Sequence, residues 1–559
     1  MTSLALFSAA TGGFPKIAYL SILPELVLLG GAVGILVVSS LARRPMNPTV
    51  VTGATALTAL GALSVSLVQW YDVVHHHGHV AVASAVVEDG FSALVAVLVS
   101  GAVFLAALVG DGWMRRERVV GPEFGVLMLL SASGAAIMGA ANDLIVVFLG
   151  LEILSIPLYV LAAMNARRAE SGEAGLKYFL LGAFSSAVFL YGVALVYGAT
   201  GTTNLAQIAD YLARNVMLHN GLLLAGMALL LAGFGFKIAA VPFHLWTPDV
   251  YQGAPSPVTG FMAAVAKAGG FAALLRVFVS SFADLRSDWQ PVVWVLAAVT
   301  LVLGAVVALV QRDVKRMLAY SSINHAGFVL LGLQAATARG IEGALYYLFV
   351  YMVMVIGSFA VVTVVGGRGD GRHDLEYYRG LAARRPWLAG SFAVLLVAQA
   401  GVPFTTGFLA KLEVISASVG ARSTPLAVIA MVSAAIAAFF YLRVILVMYA
   451  PAGETLGLAL GGDTDAVMAV GPVGAPVGTA ARAAPTGPAA LAAPTGTATL
   501  AAPASTAVAL AAPREDERGE PVPVSVATAI AICVIVTVLF GIWPAPIVDF
   551  AHRATLLFL

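Results

Sequence analysis

From Phe91 to Gly110 the chain runs for twenty residues without one charge, and similar runs recur along its length. About 20 apolar residues are what a helix needs to cross the hydrocarbon core of a bilayer. Inside that core every backbone polar group has to be satisfied internally, so only helices and closed barrels cross it. The runs are rich in Leu, Val, Ala and Gly and lack the ten-residue alternation of barrel strands, so they read as helices. Charged residues make up 11% of the 559 residues, against about 25% in a soluble domain. That excludes a soluble enzyme, a nucleic-acid binder and a disordered scaffold. The net charge of +1 offers no basic field for nucleic acid. The single cysteine, Cys533, sits in an apolar run, which excludes a disulfide framework, a thiolate metal site or an iron–sulfur cluster within the chain.

The fold class is therefore an all-α polytopic membrane protein of about 14 spans. They are expected at 18–40, 49–71, 91–110, 123–141, 143–163, 177–199, 219–241, 257–280, 290–310, 317–336, 341–365, 387–418, 425–449 and 523–545. No basic cluster precedes the first run, so it is expected to be retained rather than cleaved as a signal peptide. Eighteen Arg and Lys residues fall in one set of alternate loops, from Arg43 to Arg518, and six fall on the other side with both termini. The excess marks the first set as cytoplasmic and the termini as external. Residues 451–522 are rich in Ala, Pro, Gly and Thr and read as a flexible cytoplasmic insert.

Six cations remain in or at the edges of spans: Lys177, Lys237, Lys267, Arg276, Lys411 and Arg443. Glu25 and Glu152 join them. A Lys, Arg or Asp at a helix centre costs roughly 2.5–3.5 kcal/mol on insertion scales, so such residues face partners or a proton or ion path. Glu152 lies mid-span in Leu-Glu-Ile-Leu-Ser-Ile-Pro-Leu-Tyr. Lys237 precedes Pro242 and Pro248, which break the seventh run; His244 follows seven residues later, close to the same face of a regular helix. Lys267 sits among small residues that leave room for packing and water. Lys411 follows a second break, and the Val-Pro-Phe at 402–404 matches that at 241–243. Paired interruptions of this kind mark transport repeats, here five spans apart and hence inverted. His325 is either a packing residue or a relay. Lys177 is either a relay or a snorkelling edge residue, Glu25 a cap, interface residue or relay, and Arg276 and Arg443 are expected to be anchors. The histidines at 75–77 and 79 and the Arg-Gly-Asp at 368–370 read as loop residues without a metal or binding role. No nucleotide-binding or haem-attachment motif is present.

Leu151–Tyr159, Lys177–Ser186, Lys237–Pro255 and Gln311–Gly327 together resemble the subunit N family of bacterial NADH:quinone oxidoreductase, respiratory complex I, within the antiporter-like subunits that also include subunits L and M and the Mrp-type antiporters. The resemblance covers most of residues 18–450 and the last span. It implies three N-terminal helices at 1–122, inverted five-helix repeats at 123–280 (helices 4–8) and 281–450 (helices 9–13) with helices 7 and 12 broken, the insert at 451–522, and a last helix in 523–559. It implies a midplane proton path of Glu152, Lys237, Lys267 and Lys411; the reading of the residues themselves adds His244, His325 and Lys177 as candidate relays and Glu25 as an interface residue or relay. It further implies proton movement from cytoplasm to outside across a bacterial plasma membrane, driven by quinone reduction elsewhere. No cofactor or metal is expected in this chain. NAD, FMN, iron–sulfur clusters and quinone belong to the rest of the complex, in which subunits M and K are the expected neighbours and the lipid bilayer the surroundings. An Mrp-type cation/proton antiporter and a purely structural membrane subunit are the alternatives.

Overall fold

A computed structural model describes residues 18–43, 45–215, 220–451, 521–554 and 556. The described residues form nineteen α-helices and a small antiparallel hairpin. The helices are α1 (Leu23–Leu41), α2 (Pro48–His76), α3 (Gly90–Glu117), α4 (Glu123–Ala140), α5 (Leu144–Ala162), α6 (Ala169–Thr200), α7 (Leu205–Arg214), α8 (Gly221–Ile238), α9 (Trp246–Gly253) and α10 (Ser256–Arg276). They continue as α11 (Arg286–Leu309), α12 (Val314–Ala335), α13 (Ala338–Gly366), α14 (Leu381–Arg384), α15 (Pro386–Ala400), α16 (Thr406–Gly420), α17 (Thr424–Tyr449), α18 (Val524–Ile542) and α19 (Ala545–His552). Strands β1 (His79–Ala81) and β2 (Val86–Glu88) pair with His79 opposite Glu88. Of the expected insert at 451–522, all but residues 451, 521 and 522 lie outside the described residues.

Several helices begin where a short polar side chain caps them. Asp89 accepts from Ser92 N at 2.8 Å in a capping box, Asp143 from Ile145 N at 2.8 Å and Asp313 from Arg316 N at 2.8 Å. Among the described residues, twelve helices are long and apolar enough to cross a membrane. Two further spans are made differently. α15 and α16 are the halves of one interrupted span, each too short alone. α12 is too polar to pass on composition, but all of its residues except Arg316 and Tyr320 are buried, so protein rather than lipid surrounds it. With these two the total is the fourteen read from the sequence.

Burial sorts the helices. Every residue of α10 is buried, and α12 and α13 are nearly so, while the outer faces of α1, α2, α6, α11, α17 and α18 are exposed apolar surface. The same order of elements occurs twice: three helices, a short helix, a broken helix and a further helix, first in α4–α10 and then in α11–α17. In each broken helix the Val-Pro-Phe tripeptide falls in the break, which starts at a left-handed residue, Ala239 (φ 61°) or Gly401 (φ 86°).

Three expectations are corrected by packing. Arg276 is 2% exposed and forms a bidentate pair with Asp89 at 2.8 and 2.9 Å, so it clamps α10 to the start of α3 instead of anchoring at the lipid surface. Arg443, half-buried, donates to the carbonyls of Leu309 and Gln311 at 2.6 and 2.5 Å and so closes the end of α11. The Arg-Gly-Asp loop is no loose connection. Asp370 is fully buried, 3.3 Å from the equally buried Lys315 Nζ. It accepts from Ser256 N and Oγ at 2.8 Å, and Gly369 N donates to Glu117 at 2.8 Å. Arg168 donates to the Asp370 carbonyl. One short segment thus ties α3, α6, α10 and α12 together.

Candidate functional site

The break after Ile238 leaves Lys237 in the last turn of α8, 3% exposed. Its Nζ donates to Ser155 Oγ at 2.7 Å, and Ser155 donates onward to the Leu151 carbonyl at 2.5 Å. The ammonium also lies 5.9 Å from the centre of the Tyr178 ring, which stacks on Trp246 at 4.5 Å. Trp246 Nε1 in turn takes up the Phe236 carbonyl at 3.0 Å, and Thr300 Oγ1 accepts the Val241 N–H at 3.0 Å, so backbone groups loosened by the break are re-satisfied. Glu152 stands one turn before Ser155 on α5 and acts electrostatically on Lys237 without pairing with it. Its Oε1 is buried with no hydrogen-bond partner among the described residues.

Lys267, also 3% exposed, lies in the middle of α10 and donates to the Ser322 carbonyl of α12. Tyr351 OH donates to Ser322 Oγ at 2.8 Å, and Tyr251 OH lies 3.3 Å from the same oxygen. The Tyr351 ring is 5.7 Å from Lys267 Nζ. Between the two lysines the backbone itself makes room: a Cβ on Gly270 would stand 3.2 Å from Lys237 Cγ. Among the described residues no hydrogen bond joins the two lysine networks.

Lys411 lies beyond the second break, in α16, 5% exposed. Its Nζ reaches back to the Gln399 and Ala400 carbonyls, at 2.9 and 2.8 Å, which close α15. A helix C-terminus carries partial negative charge, so it suits an ammonium. Polar groups of α12 lie between Lys411 and Lys267, without an unbroken line of hydrogen bonds among the described residues. The Tyr441 hydroxyl is 3.4 Å from Gln399 Oε1, 3.1 Å from His325 Nε2 and hydrogen-bonded to Ser321. His325 Nδ1 is 2.7 Å from Tyr347 OH. Ser321, Ser322 and His325 are neighbours on α12, and Ser322 is the residue Lys267 reaches.

Among the described residues none of these three lysines forms an ion pair. Each ammonium rests on neutral oxygens: a serine hydroxyl, a peptide carbonyl, or two carbonyls at a helix end. Lysines of this kind can exchange a proton without first breaking a salt bridge.

The other expected residues lie apart from this line. His244 is buried, but α8 ends at Ile238, so His244 belongs to the turn and does not continue the Lys237 face; its Nδ1 has no partner among the described residues. Lys177 bonds Glu173 at 2.7 Å and Asp249 at 2.9 Å, and Asp249 also holds Arg316 at 2.8 Å. Glu173, Lys177 and Asp249 border a cleft of about 320 Å³ that His373, Asp313 and Arg168 also line. Glu25 is buried near the hairpin, with Oε2 unpartnered among the described residues. Among those residues no group of three or more His, Cys, Asp or Glu is placed to hold a metal ion. Sequence reading missed Ser155, Tyr347, Tyr441 and Gln399. Only Ser155 carried a signal, standing three residues after Glu152 on the same helix.

Residues 141–437 match the family model described as NADH:quinone oxidoreductase/Mrp antiporter, TM. The chain is 44% identical over 465 residues to NADH-quinone oxidoreductase subunit N of Parafrankia sp., covering 78% of this chain and 86% of that one. The chain belongs to the NADH-quinone oxidoreductase subunit N family. It is also 38% identical over 497 residues to subunit N of Mycobacterium tuberculosis, covering 80% of this chain and 92% of that one. A chain of respiratory complex I from Thermus thermophilus, solved with bound Aureothin, superposes with a TM-score of 0.69 at 30% identity, over 94% of this chain and 98% of that one. A chain of the Mrp complex from Dietzia sp. shares the fold, with a TM-score of 0.75 at 20% identity, over 96% of both chains. As a subunit N, the chain is an integral membrane subunit of a multi-subunit respiratory oxidoreductase complex, with the antiporter-like fold.

Proposed function

We propose that this subunit moves protons from the cytoplasm to the outside of a bacterial plasma membrane, along Glu152, Lys237, Lys267 and Lys411, driven by quinone reduction in other subunits. The carrying observation is the state of the three lysines. They are buried and free of ion pairs among the described residues, and hydroxyl, imidazole and amide groups of α12, α15 and α17 stand between two of them. A purely structural role would be served by apolar contacts, which carry no charge to desolvate.

In this reading Glu152 governs the charge on Lys237, and a change at Glu152 releases the Lys237 proton past Ser155. Lys267 receives it with water bridging the gap. Ser322, Ser321, His325 and Tyr441 on the far side of Lys267 carry it to Lys411. Lys177 with Asp249, and His244, gather protons on the cytoplasmic side. The groups α4–α10 and α11–α17 act as the two inverted repeats, bounded near 123–280 and 281–450, with both termini external. The redox chemistry, with NAD, FMN, iron–sulfur clusters and quinone, belongs to partner subunits.

Subunits M and K are the expected neighbours, and the outer surface of α5 suits one of them. Ile145, Leu149, Ile156 and Val160 form an exposed apolar stripe, and the partly exposed Glu152 falls in its middle. A carboxylate at that depth is poorly served by lipid, which favours a protein partner over it.

The test is NADH-driven proton pumping by the assembled complex in membrane vesicles, with Lys237→Ala and Glu152→Ala. Pumping is expected to fall while the complex still assembles. Wild-type pumping by an assembled double variant overturns the reading. Sodium-dependent proton exchange by the chain without its partners would point to an Mrp-type antiporter instead.

A further inference from the structure

Toward the end of α13 that carries the external loop, a group of ionisable side chains lies outside the lysine line. Arg339, Glu342 and Tyr346 stand at i, i+3 and i+7 and share one face of α13. That side of α13 meets α16: a Cβ on Gly343 would stand 3.4 Å from the Glu413 carbonyl carbon and 3.5 Å from its Cβ. Arg339 Nε is 3.8 Å from Glu413 Oε2, and His552 Nε2, on α19, is 3.8 Å from Glu342 Oε2. Both distances are too long for hydrogen bonds, so these contacts leave hydrogen-bonding capacity on the carboxylates. The two carboxylate side chains retain only 24% and 23% of their exposure. Tyr346 is 2% exposed, interacts electrostatically with Glu413, and has a hydroxyl with no hydrogen-bond partner among the described residues. Lys411 precedes Glu413 by two residues on α16, and Tyr347 follows Tyr346 on α13, so each pair points to different sides of its helix and water has to bridge this group to Lys411.

Glu342 and Glu413, both largely out of water, act on each other electrostatically as like charges. Arg339 and His552 offset the remaining negative charge. A structural role, holding α19 against α13, would need the His552–Glu342 contact but not a second carboxylate or an unpartnered tyrosine.

We propose that Glu342 and Glu413 form the proton-release group of this subunit, a carboxylate pair that takes the proton given up by Lys411 and delivers it to external water, with the Tyr346 hydroxyl donating to whichever carboxylate is ionised. This rests on the reading of Lys411 as a proton carrier and of α19 as external. In the transfer the Lys411 ammonium becomes an amine and one carboxylate becomes a carboxylic acid; the acid then yields its proton to water, restoring the carboxylate.

The experiment compares Glu342→Gln/Glu413→Gln with Glu342→Asp/Glu413→Asp and with His552→Ala, in the full complex reconstituted into vesicles, reading NADH-driven pumping and uncoupled NADH oxidation. The Gln pair keeps the shape but cannot ionise, and is expected to lower pumping at least roughly tenfold, since a positioned proton-transfer group is worth about 10²–10⁴-fold. The Asp pair and His552→Ala are expected to retain most of it. Wild-type pumping by the Gln pair, or loss with Asp and His552→Ala but not with Gln, overturns the proposal. If the Gln pair does not assemble, Glu413→Gln against Glu413→Asp carries the same comparison with the same signs. Lys411→Ala separates the two levels. Unimpaired pumping by that variant sinks the underlying proton path, whereas loss with Lys411→Ala and none with the Gln pair sinks the release group alone.

Discussion

Lys237 hangs from Ser155: the 2.7 Å bond between them is the lysine's one hydrogen bond among the described residues, and it crosses from α8 to α5. Ser155→Ala therefore leaves a buried ammonium without a partner, at about 1–3 kcal/mol. Pumping is expected to fall several-fold while uncoupled NADH oxidation persists, and Ser155→Thr, which keeps the hydroxyl, is expected to keep most of the activity. Equal pumping by the alanine and threonine variants would remove Ser155 from the path.

Gly401 carries two demands at once. Its φ of 86° costs any L side chain about 1–2 kcal/mol. A Cβ there would also stand 2.8 Å from Lys411 Cδ, pushing the lysine off the end of α15. Gly401→Ala is expected to lower pumping about as far as Lys411→Ala does. Native pumping by Gly401→Ala would show that Lys411 need not sit where it does.

Asp370→Asn tests the buried interlock. Breaking one side of a buried ion pair costs about 3–5 kcal/mol, because the partner charge is left unmatched. The variant is expected to give less assembled complex and a lower Tm in detergent. Adding Lys315→Met, which removes the stranded charge, is expected to recover part of the loss. No recovery would mean that the Lys315–Asp370 pair is not what holds the loop.

The same loop sets a pH dependence. Burial, then the charge of Lys315, push His373 from 6.5 down to about 4, so the fold favours the neutral ring. Its stabilising effect is complete above pH 6.5 and is lost as the pH falls toward about 4. Burial pushes the Asp370 carboxyl up, but Lys315, His373 and the Ser256 bonds outweigh it and hold it near 2. Its share is present above 3.8 and is lost only as the pH approaches about 2. His373→Gln is therefore expected to flatten the fall in Tm of the purified protein between pH 6.5 and 4. An unchanged slope would assign the loss to other groups.

The helices were legible because lipid demands apolar runs, and the three buried lysines and Glu152 because charge inside such runs is costly. α12 was also recognisable as a run, although its Ser, Asn and His residues depend on a protein surround that only the packing supplies. The connecting groups were not legible. Serines, tyrosines and glutamines are common in spans, and nothing local tells Tyr441, which meets His325 and Gln399, from Tyr449, which is exposed. Asp370 was misread because a charged residue in a loop ordinarily faces water; its burial arises from four helices that are distant in sequence. Arg276 was misplaced for a similar reason, since Asp89 lies 187 residues away.

The Lys411 ammonium is held by two peptide carbonyls, at Gln399 and Ala400, whereas Lys237 is held by a side chain. A point mutation can delete the serine but cannot delete a carbonyl. The residues at 399 and 400 can therefore drift without unseating Lys411, provided the chain still breaks at Gly401. Inheritance at that end of the path is of a backbone shape, and at the other end of a particular side chain.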